Sequence, residues 1–159
     1  MYQEILSELS QPGVLRVGVN LGNILLVTGK SANGDPEGVS PDMGAAIADM
    51  LGVEVKYVTR QTPGEVADAL AENAWDIALI AFEPERAKTI HFCASYVEIE
   101  ATYLVPAGSK LQTIDDVDQP GVCIAVSERA AYDLYLSRTL KHATLHRGKG
   151  LPGAFELFK

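Results

Sequence analysis

The stretch "WDIALIAFEPERAKTIHF", Trp75 to Phe92, decides how this chain is read. An apolar run, Ile77 to Phe82, stops at Glu83-Pro84-Glu85-Arg86. A short apolar run without alternation is expected of a strand covered on both faces, as in parallel sheets. "PERAKTI" then opens a short helix, because proline suits a first helical turn. An arginine placed where a strand ends is either a solvated helix residue or part of an anion site. In open α/β sheets ligands bind beyond the carboxyl ends of the strands, which gives the second alternative its force.

Reading outward, "MYQEILSELSQPG" is an amphipathic lead-in helix (Ile5, Leu6, Leu9) broken at Pro12-Gly13, and "VLRVGVN" alternates as a strand. "LGNILLVTGKSANGDPEG" is a long loop with turn chemistry at Asn33-Gly34-Asp35-Pro36. "SPDMGAAIADMLG" is a helix capped by Ser40, with Pro41 in its first turn and Gly52 as its stop. Met43, Ile47, Met50 and Leu51 form its apolar stripe. "VEVKYV" is a strand, and "TPGEVADALAENAW" a helix opened by a Thr62/Glu65 capping box.

Beyond Phe92, "HFCASYVEIEATYLVPA" is a long extended segment and "TIDDV" a short helix. "GVCIAV" is a strand, "SERAAYDLYLSRTLKH" a helix capped by Ser127, "ATLHRG" a strand and "PGAFELF" a helix. Strands alternating with helices at these intervals predict an α/β fold with parallel βαβ units and helices on both faces.

Composition excludes several functions. The chain has 159 residues with 13 basic and 21 acidic side chains, a formal charge of -8, which argues against nucleic acid as a partner. No apolar run approaches membrane-spanning length. The N-terminus lacks a basic region followed by a long apolar one, so no signal peptide is expected in the chain as given. Cys93 and Cys123 make no disulfide framework and are expected to be free and buried. "VGVNLGN" has the wrong spacing for a phosphate loop, and His142 and His146 straddle a helix-to-strand transition, so neither a cofactor nor a metal is expected. "AVSER" lacks the glycines of a nucleophile elbow. The Tyr132, Leu136, Leu140 spacing is helix packing.

Three strand ends remain as candidate sites: Asn20-Leu21-Gly22-Asn23, Glu83 to Arg86, and Ser127-Glu128-Arg129. Helix N-termini there present unpaired N–H groups to a carboxylate, and an arginine beside them can hold it bidentately. Each residue also has a plainer role: Arg86 as a surface side chain, Asn20 and Asn23 as turn formers, Ser127 as a helix cap.

The chain resembles the bacterial extracellular solute-binding proteins, family 3, with the type II periplasmic binding fold, over residues 15–158. The resemblance lies in "LRVGVN", "GVSPDMGAAIADMLGVEVKYV", "WDIALIAFEPERAKTIHFCASYVEIEATYLVPAGS" and "IDDVDQPGVCIAVSERAAYDLYL". It implies two lobes, residues 1–101 and 102–159, joined by an extended hinge near 100–106, with a small carboxylate-bearing solute such as an amino acid between them. Arg86 would hold that carboxylate. Asn20 and Asn23 would line one wall, Ser127 would add a donor, and Phe82 and Glu83 would border the site. Amino-acid binders usually carry hydroxyl residues where this chain has Leu79 to Glu83.

The resemblance further implies a periplasmic protein, its leader removed, serving the membrane permease of an ABC-type uptake system. The later part of the second lobe and the return to the first are missing from the resemblance, so the chain is expected to be C-terminally truncated. Unpaired strand edges then predict a dimer or higher oligomer. The alternative function is a cyclohexadienyl-dehydratase-like enzyme with Glu83 as general acid, and a receptor's ligand-sensing module is a third.

Overall fold

Strand β1 (Val14–Asn20) carries the alternation of "VLRVGVN" into the centre of a three-stranded parallel sheet of order β4-β1-β5. The computed structural model describes residues 2–159 and divides after Ala81 into two compact units.

In the first unit, α1 (Gln3–Glu8) precedes β1. The segment read as loop contains a small antiparallel hairpin, β2 (Gly29–Lys30) with β3 (Pro36–Glu37). Helix α2 (Val39–Leu51) returns the chain to β4 (Glu54–Arg60), which pairs with β1 from Val14↔Glu54 to Asn20↔Arg60. Helix α3 (Pro63–Asp68) leads to β5 (Ile77–Leu79), which pairs with the other edge of β1 at Val17↔Ile77 to Val19↔Leu79. Leu15, Val17 and Val19 of β1 form the core with Val27 and Ala48, consistent with a central strand that contacts neighbours on both edges. Arg16 on the same strand holds Asp76 through Nη2–Oδ1 at 2.8 Å and Nε–Oδ2 at 3.1 Å, tying β1 to the turn before β5.

In the second unit, 3₁₀ turns at Arg86–Lys88 and Ile114–Asp116 precede β6 (Cys123–Ser127). Helix α4 (Ala131–Thr139) connects β6 to the parallel strand β7 (Thr144–Gly148), and α5 (Gly150–Phe158) follows. Val117, Ile124, Val126 and Leu136 are its core, flanked by Tyr132 and Leu140 as the spacing of α4 predicts.

The structure corrects several expectations. The apolar run 77–82 is a strand only over its first three residues, which are half-buried, and Phe82 is 65% exposed. Its apolar character therefore does not report full coverage on both faces. Helix α2 starts before Ser40, at a Gly38 N-cap with φ 129°, and its buried face is Ser40, Pro41, Gly44 and Ala48, while Met50 is exposed. Small residues face the sheet because the helix lies so close that a Cβ on Gly44 would stand 2.7 Å from Val17 Cγ1. The Thr62 hydroxyl does cap α3, accepting the Glu65 N–H, but the Glu65 carboxylate accepts from Gln61 rather than from Thr62. That helix also ends at Asp68, before the turns that lead to Trp75. Ser127 is not a helix cap: Ala130 is the residue before α4, and the Ser127 carbonyl accepts the Ala130 N–H. Both cysteines are free but exposed; Cys93 lies in a stretch with no buried residue, and Cys123 is the exposed first residue of β6.

Two outcomes follow from these contacts. Gly44→Ala should lower stability by about 1–3 kcal/mol, because β-branched Val17 is buried and has little room to yield; urea unfolding monitored at Trp75 measures it. The Asp118 carboxylate accepts backbone N–H groups from Ala143, His142 and Lys141, which hold its pKa below the ordinary aspartate value. A depressed folded-state value means the stabilisation is present above the unfolded aspartate pKa, near 3.9, and is lost as pH falls through the folded one. Melting curves at descending pH should show wild type losing stability there, and Asp118→Asn losing less.

Candidate functional site

Residues Glu83 to Arg86 begin the second unit, and their arrangement starts from burial. Glu83 is 2% exposed and Arg86 6% exposed, unusual values for charged side chains and tolerable only with partners. The Glu83 carboxylate holds the start of its own turn: Oε2 accepts the Glu85 N–H at 2.8 Å. Its Oε1 is ion-paired with Arg138 Nη1 from α4. The Glu83 carbonyl accepts the Ala87 N–H and the Arg86 carbonyl accepts those of Thr89 and Ile90, completing the 3₁₀ turn that carries the arginine.

The Arg86 guanidinium donates from Nη2 to the Arg129 carbonyl at 2.9 Å. Burial pulls its pKa below the ordinary arginine value; the Glu83 charge works in the opposite direction, and the Arg129 charge adds to the lowering. Arg129 itself stands in the left-handed region at φ 59°, uncommon for a residue with a side chain. Its N–H donates to Asp133 Oδ2 at 2.7 Å, so the acid in the first turn of α4 fixes the bend whose carbonyl meets Arg86. Asp133 is 2% exposed and also accepts from Arg147 Nε at 3.0 Å, while Arg147 Nη2 donates to Ser137 at 2.7 Å. Two buried acids and four arginines thus share one neighbourhood of the second unit.

The residues proposed from sequence divide between the units. Asn20 and Asn23 lie in the first, at the end of β1 and in the turn after it. Their side-chain oxygens shape that turn, Asn20 Oδ1 accepting the Gly22 N–H at 3.0 Å and Asn23 Oδ1 the Leu25 N–H at 3.3 Å. Phe82, Glu83, Arg86 and Ser127 lie in the second. Phe82 is exposed and packs edge-on against Phe92, with ring centroids 5.3 Å apart. Ser127 is buried at the end of β6, two residues before Arg129. Sequence reading missed Asp133, Arg138 and Arg147. Their charges are visible on α4 and β7, but no local spacing announces that Arg138 will meet an acid 55 positions earlier.

Among the described residues no group of histidine, cysteine, aspartate and glutamate could hold a metal ion. No helix among them is long and apolar enough to cross a membrane. Chemically, the second unit offers guanidinium donors held in fixed directions, suited to a carboxylate.

Parallel sheets in a two-unit α/β chain, with an arginine at the start of the second unit, define a type II periplasmic-binding-protein fold. The chain belongs to the bacterial extracellular solute-binding proteins, family 3, whose family model matches residues 15–149. Among solved structures it is similar to the ancestral amino acid-binding protein AncCDT-1, a precursor of cyclohexadienyl dehydratase. That likeness has a TM-score of 0.80 at 26% identity, covering 97% of this chain and 69% of the other. The arginine-bound truncated ArgBP of T. maritima shares the fold, with a TM-score of 0.68 at 24% identity over 98% of this chain and 71% of that one. Among curated proteins the chain is 27% identical over 144 residues to the cyclohexadienyl dehydratase of Pseudomonas aeruginosa. The match takes in 88% of this chain and spans 53% of the enzyme's length.

Asp133→Ala should destabilise the protein by about 2–4 kcal/mol, since it strips the Arg129 N–H and the Arg147 guanidinium of a buried acceptor. Arg147→Ala should cost less, because that side chain is 42% exposed and its loss leaves Asp133 the Arg129 N–H and Ser137. Equilibrium denaturation of both variants checks the order.

Proposed function

We propose that this protein binds a small carboxylate-bearing solute such as an amino acid, without chemistry, and that Arg86 holds the solute's carboxylate. The observation that carries the reading is the buried Arg86 on a turn held by Glu83, with its guanidinium directed by the Arg129 carbonyl. A clamp of this kind needs a fixed arginine, and fixing it in advance reduces the ordering cost of binding. Family membership and the amino acid-binding ancestral protein support the ligand class. The wider reading includes Asn20, Asn23, Ser127 and Phe82 as further contacts, and lobes of residues 1–101 and 102–159 joined near 100–106. It also includes a periplasmic location and the membrane permease of an ABC-type uptake system as partner. Self-association belongs to it as well, supported by the exposed Leu151, Phe155 and Leu157 of α5.

The dehydratase relative is the observation that favours a second reading, an enzyme acting on cyclohexadienyl acids. Against it stands the engagement of Glu83. Both oxygens of its carboxylate accept from protein donors, Arg138 and the Glu85 N–H, which leaves this group nothing to donate to a substrate.

Calorimetric titration with L-glutamine, L-glutamate, L-lysine and L-arginine should find at least one ligand, and Arg86→Ala should weaken it by about 2–5 kcal/mol. Equal affinity in the two proteins would remove Arg86 from the site. Incubation with prephenate or arogenate should yield no product; turnover abolished by Glu83→Gln would establish the enzyme instead.

A further inference from the structure

We propose that Glu83 is a specificity-determining residue: by keeping Arg138 occupied, its buried carboxylate restricts the Arg86 site to ligands with a single carboxylate. The proposal rests on the reading of Arg86 as a carboxylate clamp. Glu83 precedes Arg86 by three residues on the same turn, and its two oxygens face different donors. Oε2 holds the turn through the Glu85 N–H, and Oε1 holds Arg138. The Glu83 charge is also felt at the Arg86 guanidinium, which places the acid within electrostatic reach of both arginines. Arg138 is itself 37% exposed, so its outer side is open to solvent while its inner side is committed.

A ligand that brings one carboxylate needs only Arg86. A ligand that brings two would call on a second arginine, and Arg138 is the one that the turn's own carboxylate holds. Taking Arg138 from Glu83 would leave a carboxylate at 2% exposure without its ionic partner, which is far more costly than losing an exposed ion pair. The repulsion between Glu83 and a second ligand carboxylate acts in the same direction. With the acid in place, the site therefore rejects ligands with a second carboxylate. With the acid neutralised, Arg138 is released for a ligand, and local charge rises by one. Glutamine at position 83 keeps the volume and an acceptor for the Glu85 N–H, so the turn is retained while the competitor is removed.

L-glutamine and L-glutamate are the probes, because they match in shape and differ by one carboxylate. Calorimetry on wild type, Glu83→Gln and the pair Glu83→Gln/Arg138→Gln reads the ratio of their affinities. Wild type should prefer glutamine. Glu83→Gln should move the ratio toward glutamate by about tenfold or more, and removing Arg138 as well should return it. Damage to a merely structural contact weakens both probes together and does not turn the preference toward glutamate.

A ratio within about twofold of wild type in Glu83→Gln, or a shift that persists without Arg138, would overturn the proposal. If glutamine binding depends on Arg86 but the ratio stays constant, the clamp stands and the role of Glu83 falls. If no protein of the three binds either probe, the proposal falls outright, since an Arg138 released from Glu83 should have captured glutamate. Should the single variant fail to fold, the double variant carries the test: it should keep the wild-type preference for glutamine, and a preference for glutamate in it would overturn the proposal.

Discussion

A carboxylate removed from water must be met by donors, and in residues 82–159 two such acids organise what surrounds Arg86. Glu83 and Asp133 are each 2% exposed, and each is answered both by a backbone N–H and by an arginine. Glu83 fixes the turn that carries Arg86 and fastens it to α4. Asp133 fixes the left-handed bend at Arg129, whose carbonyl directs the Arg86 guanidinium. A buried ion pair is a weak source of net stability but a strong source of direction, because every wrong arrangement leaves a charge unpaired. A carboxylate clamp depends on direction.

The hydrophobic framework places these groups without determining them. In the first unit, the burial of Val17 and Val19 on β1 and the close approach of α2 through Gly44 fix the sheet. In the second, the packing of Leu136 against Ile124 and Val126 fixes α4 beside β6, and so sets where Asp133 and Arg138 project. Family membership and the shared type II fold then supply the context for the proposal that Arg86 binds a solute.

Much of the fold was legible because strands here announce themselves by alternation and by their apolar content. The bounds of β1 coincide with "VLRVGVN", and β4, β6 and β7 begin or end within two residues of their expected limits. Less legible was anything set by how closely elements approach. The buried face of α2 is read from Gly44 and Ala48 rather than from Met50, since small side chains mark contact that a count of large apolar ones misses. The extent of β5 was overread because an apolar run does not say how many of its residues find a hydrogen-bonded neighbour. Arg86 stood out at a strand end, but its setting did not. Arg129, Asp133 and Arg138 lie over 40 positions further along, and only the tertiary fold brings their groups to its turn.

The central claim, that Arg86 meets the solute's carboxylate, is tested most directly at its own nitrogen. Protein labelled with ¹⁵N-arginine, with the Arg86 Nε–H signal assigned by its disappearance in Arg86→Lys, can be titrated with L-glutamine and the other amino acids. A ligand that binds should move the Arg86 signal saturably, while the signal of Arg16, locked to Asp76 in the first unit, stays in place. A ligand that saturates the protein by calorimetry and leaves the Arg86 signal unmoved would contradict the account.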